Sequence, residues 1–151
     1  MLFKIKNTEV KVSFTFFAVL LLFILIDKAQ IYFLSLIASA LHETVHIIFI
    51  LLFGGTIKKL SFNFFGGEIE RGVIRFSNIK EAVINISAPI LNIIIGSMLL
   101  IIYPDSLFGL LNLFLGIFNI LPFHSFDGGR ALSEFLLIKF TEKTAKAVLT
   151  S

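Results

Sequence analysis

No cysteine occurs among the 151 residues. That excludes a disulfide framework and any thiolate metal site, so a bound metal has to take imidazole, carboxylate or water ligands. Charge is scarce as well: 15% of the residues are charged against 57% hydrophobic, with a mean hydropathy of +0.97. So little polarity cannot cover the surface of a soluble domain, and the composition is that of an integral membrane protein. Internal repeats and low-complexity tracts are absent from the sequence. The net charge of +3 does not point to nucleic acid, because the basic residues are scattered beside apolar segments, where they act as topology signals.

Four apolar segments are present, at about 12–26, 29–53, 82–103 and 107–140, the last broken near 119–128. At about 1.5 Å per residue the second exceeds the roughly 30 Å hydrocarbon thickness, whereas the first is marginal. Lys4, Lys6 and Lys11 precede that first segment. Asp27-Lys28-Ala29-Gln30 after it offers no small-x-small cleavage site, so it is expected to be an uncleaved span. With both termini and the 54–81 connection on one side, twelve of thirteen Lys and Arg share that side and only Lys28 lies opposite. The positive-inside rule makes that side cytosolic. Between the second and third segments, Thr56 to Phe65 and Glu68 to Phe76 partly alternate apolar with polar around Gly66-Gly67. This predicts a β-hairpin at about 56–76, and Phe62, Phe64 and Phe65 associate it with the membrane. Its edges then need shielding by helices or a watery cavity. The expected fold is an all-α polytopic membrane protein of about four spans, forming one domain over 1–151 with a small membrane-associated β-hairpin or sheet.

The second segment contains His42-Glu43-Thr44-Val45-His46. Histidines four apart project from one helix face, so two imidazoles can share a zinc ion while Glu43 stands beside it as a base. Ser35, Ser39, His42 and His46 form one stripe; Asn85, Ala88, Asn92 and Gly96 form another in the third segment, and Gly109, Asn112, Gly116 and Asn119 a third in the fourth. Small residues let helices approach, and Asn or His facing lipid is costly, so these stripes are expected to meet in a three-helix core. For Asn85, Asn112 and Ser35 the expected role is to hold helices together. Charged groups at membrane depth cost roughly 2.5–3.5 kcal/mol each, which makes that role a poor explanation for His42, Glu43 and His46. A catalytic zinc takes three protein ligands and leaves a position open. Asp127, His124, Glu134 and Glu68 are the candidates for the third. Asp127 is preferred because it follows Pro122 and precedes Gly128-Gly129, where the fourth segment breaks, and unwound backbone at membrane depth belongs beside a cavity or within protein.

These residues resemble the site-2 protease family of intramembrane zinc metallopeptidases, particularly its compact sporulation-type branch. His42 to His46 is similar to the family's zinc helix, and Phe64-Phe65-Gly66-Gly67 to the end of its hairpin. Ser87-Ala88-Pro89-Ile90-Leu91-Asn92 is similar to its Ala/Gly-Pro-x-x-Asn motif, and Asn119 to Arg130 to the stretch that supplies the third ligand. The likeness covers about residues 40–132. Ser125 stands where that branch usually has a second proline, and Phe126 where it usually has leucine. His124 falls on a variable position and is read as a pocket or solvent-facing residue.

The resemblance implies a metalloendopeptidase of a bacterial cell membrane with one zinc per chain on His42, His46 and Asp127. Glu43 is then the catalytic base for metal-activated water. It further implies substrate contacts at Asn92, Asn119, Phe65, Gly66 and Gly67. A transmembrane or membrane-associated protein or peptide would be the substrate, unwound and received as an added strand near Phe65 to Gly67. The 54–81 connection is too short for a PDZ domain and the tail too short for a CBS pair, so regulation through such modules is not expected. The rival from another class is a catalytically idle zinc-binding membrane scaffold or adaptor, for which Glu43 has no use. A second rival is a helical metallopeptidase with a glutamate as third ligand. The sequence does not choose a substrate or an oligomeric state.

Overall fold

The alternation of charged and apolar residues begins at the amino terminus, and in the computed structural model it forms strands there. The structure describes residues 2–5, 8–26, 30–63, 66–72 and 76–139. In chain order the elements are β1 (Leu2–Ile5), β2 (Thr8–Val12), α1 (Phe14–Ile26), α2 (Ile31–Leu52), β3 (Ile57–Asn63), β4 (Gly66–Arg71), α3 (Asn78–Ile102), α4 (Leu107–Ile120) and α5 (Asp127–Lys139). They divide into two units, Met1–Ile74 and Arg75–Ser151.

In the first unit the strands form one sheet in the order β1-β2-β3-β4. The expected hairpin is β3–β4, antiparallel, with Phe62 opposite Gly67 and Asn63 opposite Gly66. Phe64 and Phe65 lie outside the described residues. Strands β1 and β2 are not among the expected elements, because lysines beside an apolar segment also serve as topology signals; Val12, expected at the start of a membrane span, instead ends β2. Strand β2 runs parallel to β3, and a parallel pair needs a long crossover. Helices α1 and α2 supply it. The Thr8 hydroxyl donates to the Ile57 carbonyl at 2.9 Å, bracing β2 on β3 across 49 residues.

Helix α1 starts where the Ser13 hydroxyl accepts from the Phe16 amide at 3.2 Å, a side-chain cap. Its 13 residues span about 20 Å, whereas the 22 residues of α2 reach about 33 Å. The two helices meet through Phe23 and Tyr32, whose rings stack at 4.2 Å and 7°. Helix α2 ends at Gly54, with φ +86°. There the Gly54 amide donates to Leu51 and the Gly55 amide to Ile50, the two bonds of a Schellman stop that requires a left-handed residue.

In the second unit α3 runs for 25 residues with Pro89 inside it, and α4 follows antiparallel after a short turn capped by the Ser106 hydroxyl, which accepts from the Gly109 amide at 3.1 Å. Their glycines allow backbone contact. A Cβ at Gly96 would lie 2.5 Å from the Leu113 nitrogen, and one at Gly116 2.7 Å from the Pro89 carbonyl oxygen. Between those contacts Asn92 Nδ2 donates to Asn112 Oδ1 at 2.9 Å, and Asn112 Nδ2 donates to the Phe108 carbonyl at 2.8 Å. The small-and-polar stripes of these two helices therefore face each other, as their spacing suggested. The expected break of the fourth apolar segment lies at residues 121–126, between α4 and α5. Among the described residues two helices are long and apolar enough to cross a membrane, Ile31–Leu52 and Asn78–Ile102, while α1 and Leu107–Ile120 are shorter.

Candidate metal centre

Helix α2 buries one stripe, Ala38, His42, Val45, His46 and Ile50, which is the face generated by steps of three and four residues. On it His42 is 5% and His46 7% exposed. Their rings stand edge to face, 84° apart, and bring the two Nε2 atoms to 3.3 Å. Glu43, the next residue round the helix, is half-buried, and Thr44 is exposed with its hydroxyl tied back to the Ala40 carbonyl at 2.7 Å. The pairing of imidazoles is thus local: it needs only an uninterrupted helix.

Asp127 is placed by different means. It is the first residue of α5 and is 8% exposed, and a carboxylate there gains from the helix dipole. The chain reaches this position by a turn in which the Phe126 amide donates to Phe123 at 2.9 Å and the Arg130 amide to Phe126 at 3.1 Å. Gly128 and Gly129 close it. A Cβ at Gly128 would meet the backbone of Ile120, and one at Gly129 the backbone of Phe123 and the His124 nitrogen. No side chain fits at either position without moving the chain.

The donor atoms of His42, His46 and Asp127 all lie within 4.8 Å of one another, and the three residues are able to hold one metal ion. A tetrahedral zinc with bonds of about 2.0–2.1 Å separates two nitrogen ligands by about 3.3–3.4 Å. The observed 3.3 Å between the imidazoles fits that requirement, and two imidazoles with a carboxylate are a donor set that zinc accepts. The other candidates for third ligand are not in this group. His124 is exposed in the turn before α5, and Glu134 is half-buried on α5. The side chain of Glu68 lies outside the described ones.

The chain is 31% identical to a zinc metalloprotease of Methanocaldococcus jannaschii over 157 aligned residues, 92% of this chain and 46% of that protein. It therefore spans about half the length of the curated relative. Among solved structures it is similar to the site-2 protease from Methanocaldococcus jannaschii, with 27% identity and a TM-score of 0.69 over 99% of this chain and 77% of that one. The chain is thus similar to members of the site-2 protease family. No family model matches it.

The remaining expected site residues have these places. Asn92 is buried on α3 at 3% exposure and bonded to Asn112, while Asn119 is half-buried near the end of α4 and donates to the Leu115 carbonyl at 3.0 Å. Gly66 and Gly67 begin β4, and Phe65 lies outside the described residues. Asn112, expected only to hold helices together, is the partner of Asn92. The equal small-and-polar spacing in the two segments was the available signal.

Proposed function

We propose that the chain is an intramembrane zinc metalloprotease, hydrolysing peptide bonds of transmembrane or membrane-associated substrates. The observation that carries this reading is the 3.3 Å approach of the two imidazole nitrogens in one donor group with the Asp127 carboxylate. His42, His46 and Asp127 would hold one zinc per chain. When bound, such an ion polarises a carbonyl and lowers the pKa of water toward about 7.

The chain's own residues do the rest. Glu43, beside the imidazole pair on the same helix, takes a proton from the attacking water and returns it to the departing amine. Asn92 and Asn119, with Phe65, Gly66 and Gly67, receive the peptide, which has to be unwound first because a helix shields its own amides. The membrane half of the reading has the apolar segments as four spans, α1 and α4 included, with both termini on the basic, cytosolic side. The length and hydropathy of α2 and α3 support it.

The test compares wild type with Glu43→Gln, each loaded with zinc and reconstituted in vesicles, by a proteomic survey of membrane-protein fragments. Fragments that appear only with wild type, at equal zinc content, are the expected result. Zinc-loaded wild type that generates none leaves a zinc-binding scaffold instead.

A further inference from the structure

The bonded pair Asn92 and Asn112 has a near repeat two turns away. Asn85 precedes Asn92 by seven residues, and Asn119 follows Asn112 by seven. Seven residues are close to two turns of helix, so each step returns to the same face. Because α3 and α4 run antiparallel, a step back along one matches a step forward along the other. This sets Asn85 level with Asn119 on the facing stripes. Gly116 marks the same register between the two pairs, since a Cβ there would meet the Pro89 carbonyl oxygen and the Ile93 nitrogen.

The two pairs differ in whether they close. Asn112 and Asn119 are held alike, each Nδ2 donating to the carbonyl four residues earlier, Phe108 at 2.8 Å and Leu115 at 3.0 Å. That turns each Oδ1 away from its own helix ladder. Asn112 Oδ1 accepts from Asn92 at 2.9 Å, so the first pair is closed. Among the described residues nothing donates to Asn119 Oδ1, and neither amide atom of Asn85 has a hydrogen-bond partner, so the second is open.

Asn85 is nevertheless only 6% exposed. Among the described residues no side-chain nitrogen or oxygen is both shut off from solvent and unpaired, so what little of Asn85 is accessible includes its amide. The backbone adds a further acceptor. Pro89 lies inside α3 four residues after Asn85 and has no N–H to give to the Asn85 carbonyl. An asparagine that held helices together, the role expected for Asn85, would have its amide bonded to a neighbour as Asn92 has. Keeping an amide buried and unpaired costs free energy, and the cost is removed when a partner enters.

We propose that the open pair binds one peptide unit of an unwound substrate segment, Asn85 Nδ2 donating to its carbonyl while Asn119 Oδ1 and the Asn85 carbonyl accept from its N–H. The need is mutual. Backbone groups freed by unwinding at membrane depth have no bulk water to bond, and an amide side chain carries the donor and acceptor that a peptide unit complements. This inference rests on the peptide-substrate reading above and adds Asn85 to it.

The chain has no tryptophan, so a tryptophan on an added peptide is seen alone. The full chain carrying Glu43→Gln, which leaves a bound peptide uncut, is reconstituted in vesicles with leucine-rich transmembrane peptides, one continuous and one broken at its centre by Gly-Pro-Gly. Expected is tighter binding of the broken peptide. Adding Asn85→Leu should weaken binding of that peptide alone by about five- to tenfold, the equivalent of one or two hydrogen bonds. Asn85→Ala repeats the comparison should the leucine variant fold poorly. The thermal unfolding midpoint separates the contact from a structural role: with no native bond to lose, the Asn85 variants should stay near the Glu43→Gln parent, while Asn112→Leu, which strands Asn92, falls below it. Unchanged affinity for the broken peptide in both Asn85 variants overturns the contact and leaves water in the gap. A midpoint lowered in both as far as in Asn112→Leu overturns it in favour of holding helices together. In either case a parent that prefers the broken peptide preserves the substrate reading, whereas a parent that binds neither peptide removes that reading and this inference together.

Discussion

The imidazole pair and the carboxylate reach their places by opposite routes. On α2 the geometry comes from regularity: 22 uninterrupted helical residues put positions four apart on one face, and no distant contact is needed to aim them. At the start of α5 it comes from a break, a turn held by two backbone hydrogen bonds and by glycines that leave no room for a Cβ. Periodicity is robust to single exposed substitutions; a turn packed backbone against backbone is not. The two halves of the centre should therefore differ sharply in what they tolerate.

The largest expected effect falls on chemistry rather than on geometry. Glu43→Gln should lower cleavage by about two to four orders of magnitude, the usual contribution of a general base, while zinc content measured by elemental analysis stays at the wild-type level. Next is the origin of the third ligand. Asp127→Ala should lose zinc on purification, and Glu134→Ala should keep it. The reverse would move the carboxylate half about two turns along α5.

The contrast between the halves is probed directly by Gly129→Ala against Thr44→Ala. The first pushes a methyl into the Phe123 backbone and should cost about 1–3 kcal/mol by denaturant unfolding, with weakened zinc retention. The second removes an exposed hydroxyl that bonds only within its helix and should stay within about 0.5 kcal/mol. Similar costs at the two positions would erase the distinction. Smallest is Lys58→Ala, whose partner Glu70 is also well exposed; its effect on stability should be under about 1 kcal/mol and vanish in high salt.

The same difference explains what was legible in the sequence. His42, Glu43 and His46 could be read because helix periodicity is a local property, and the β3–β4 hairpin because Gly66-Gly67 divides two alternating runs. The break before Asp127 was visible in Pro122, Gly128 and Gly129, though not the reason for the glycines, which is the approach of Ile120 and Phe123 from earlier in the chain. The N-terminal strands were missed although Thr8 to Val12 alternates, because three lysines in so apolar a chain also serve as topology signals. Their pairing with β3 depends on a crossover of two helices, and no local pattern encodes a parallel partner some 50 residues away. The bond between Asn92 and Asn112 was half legible: matching stripes showed that the helices meet, and only the packed glycines fix which asparagines touch.

The most direct measurement is the zinc K-edge X-ray absorption spectrum of the purified chain, with Asp127→Ala beside it. Expected is a four-coordinate shell of nitrogen and oxygen alone at about 2.0–2.1 Å, with the outer scattering of two imidazoles and a changed or absent signal in the variant. Zinc that shows a single imidazole, or a spectrum indifferent to the loss of Asp127, would contradict a centre built from His42, His46 and Asp127.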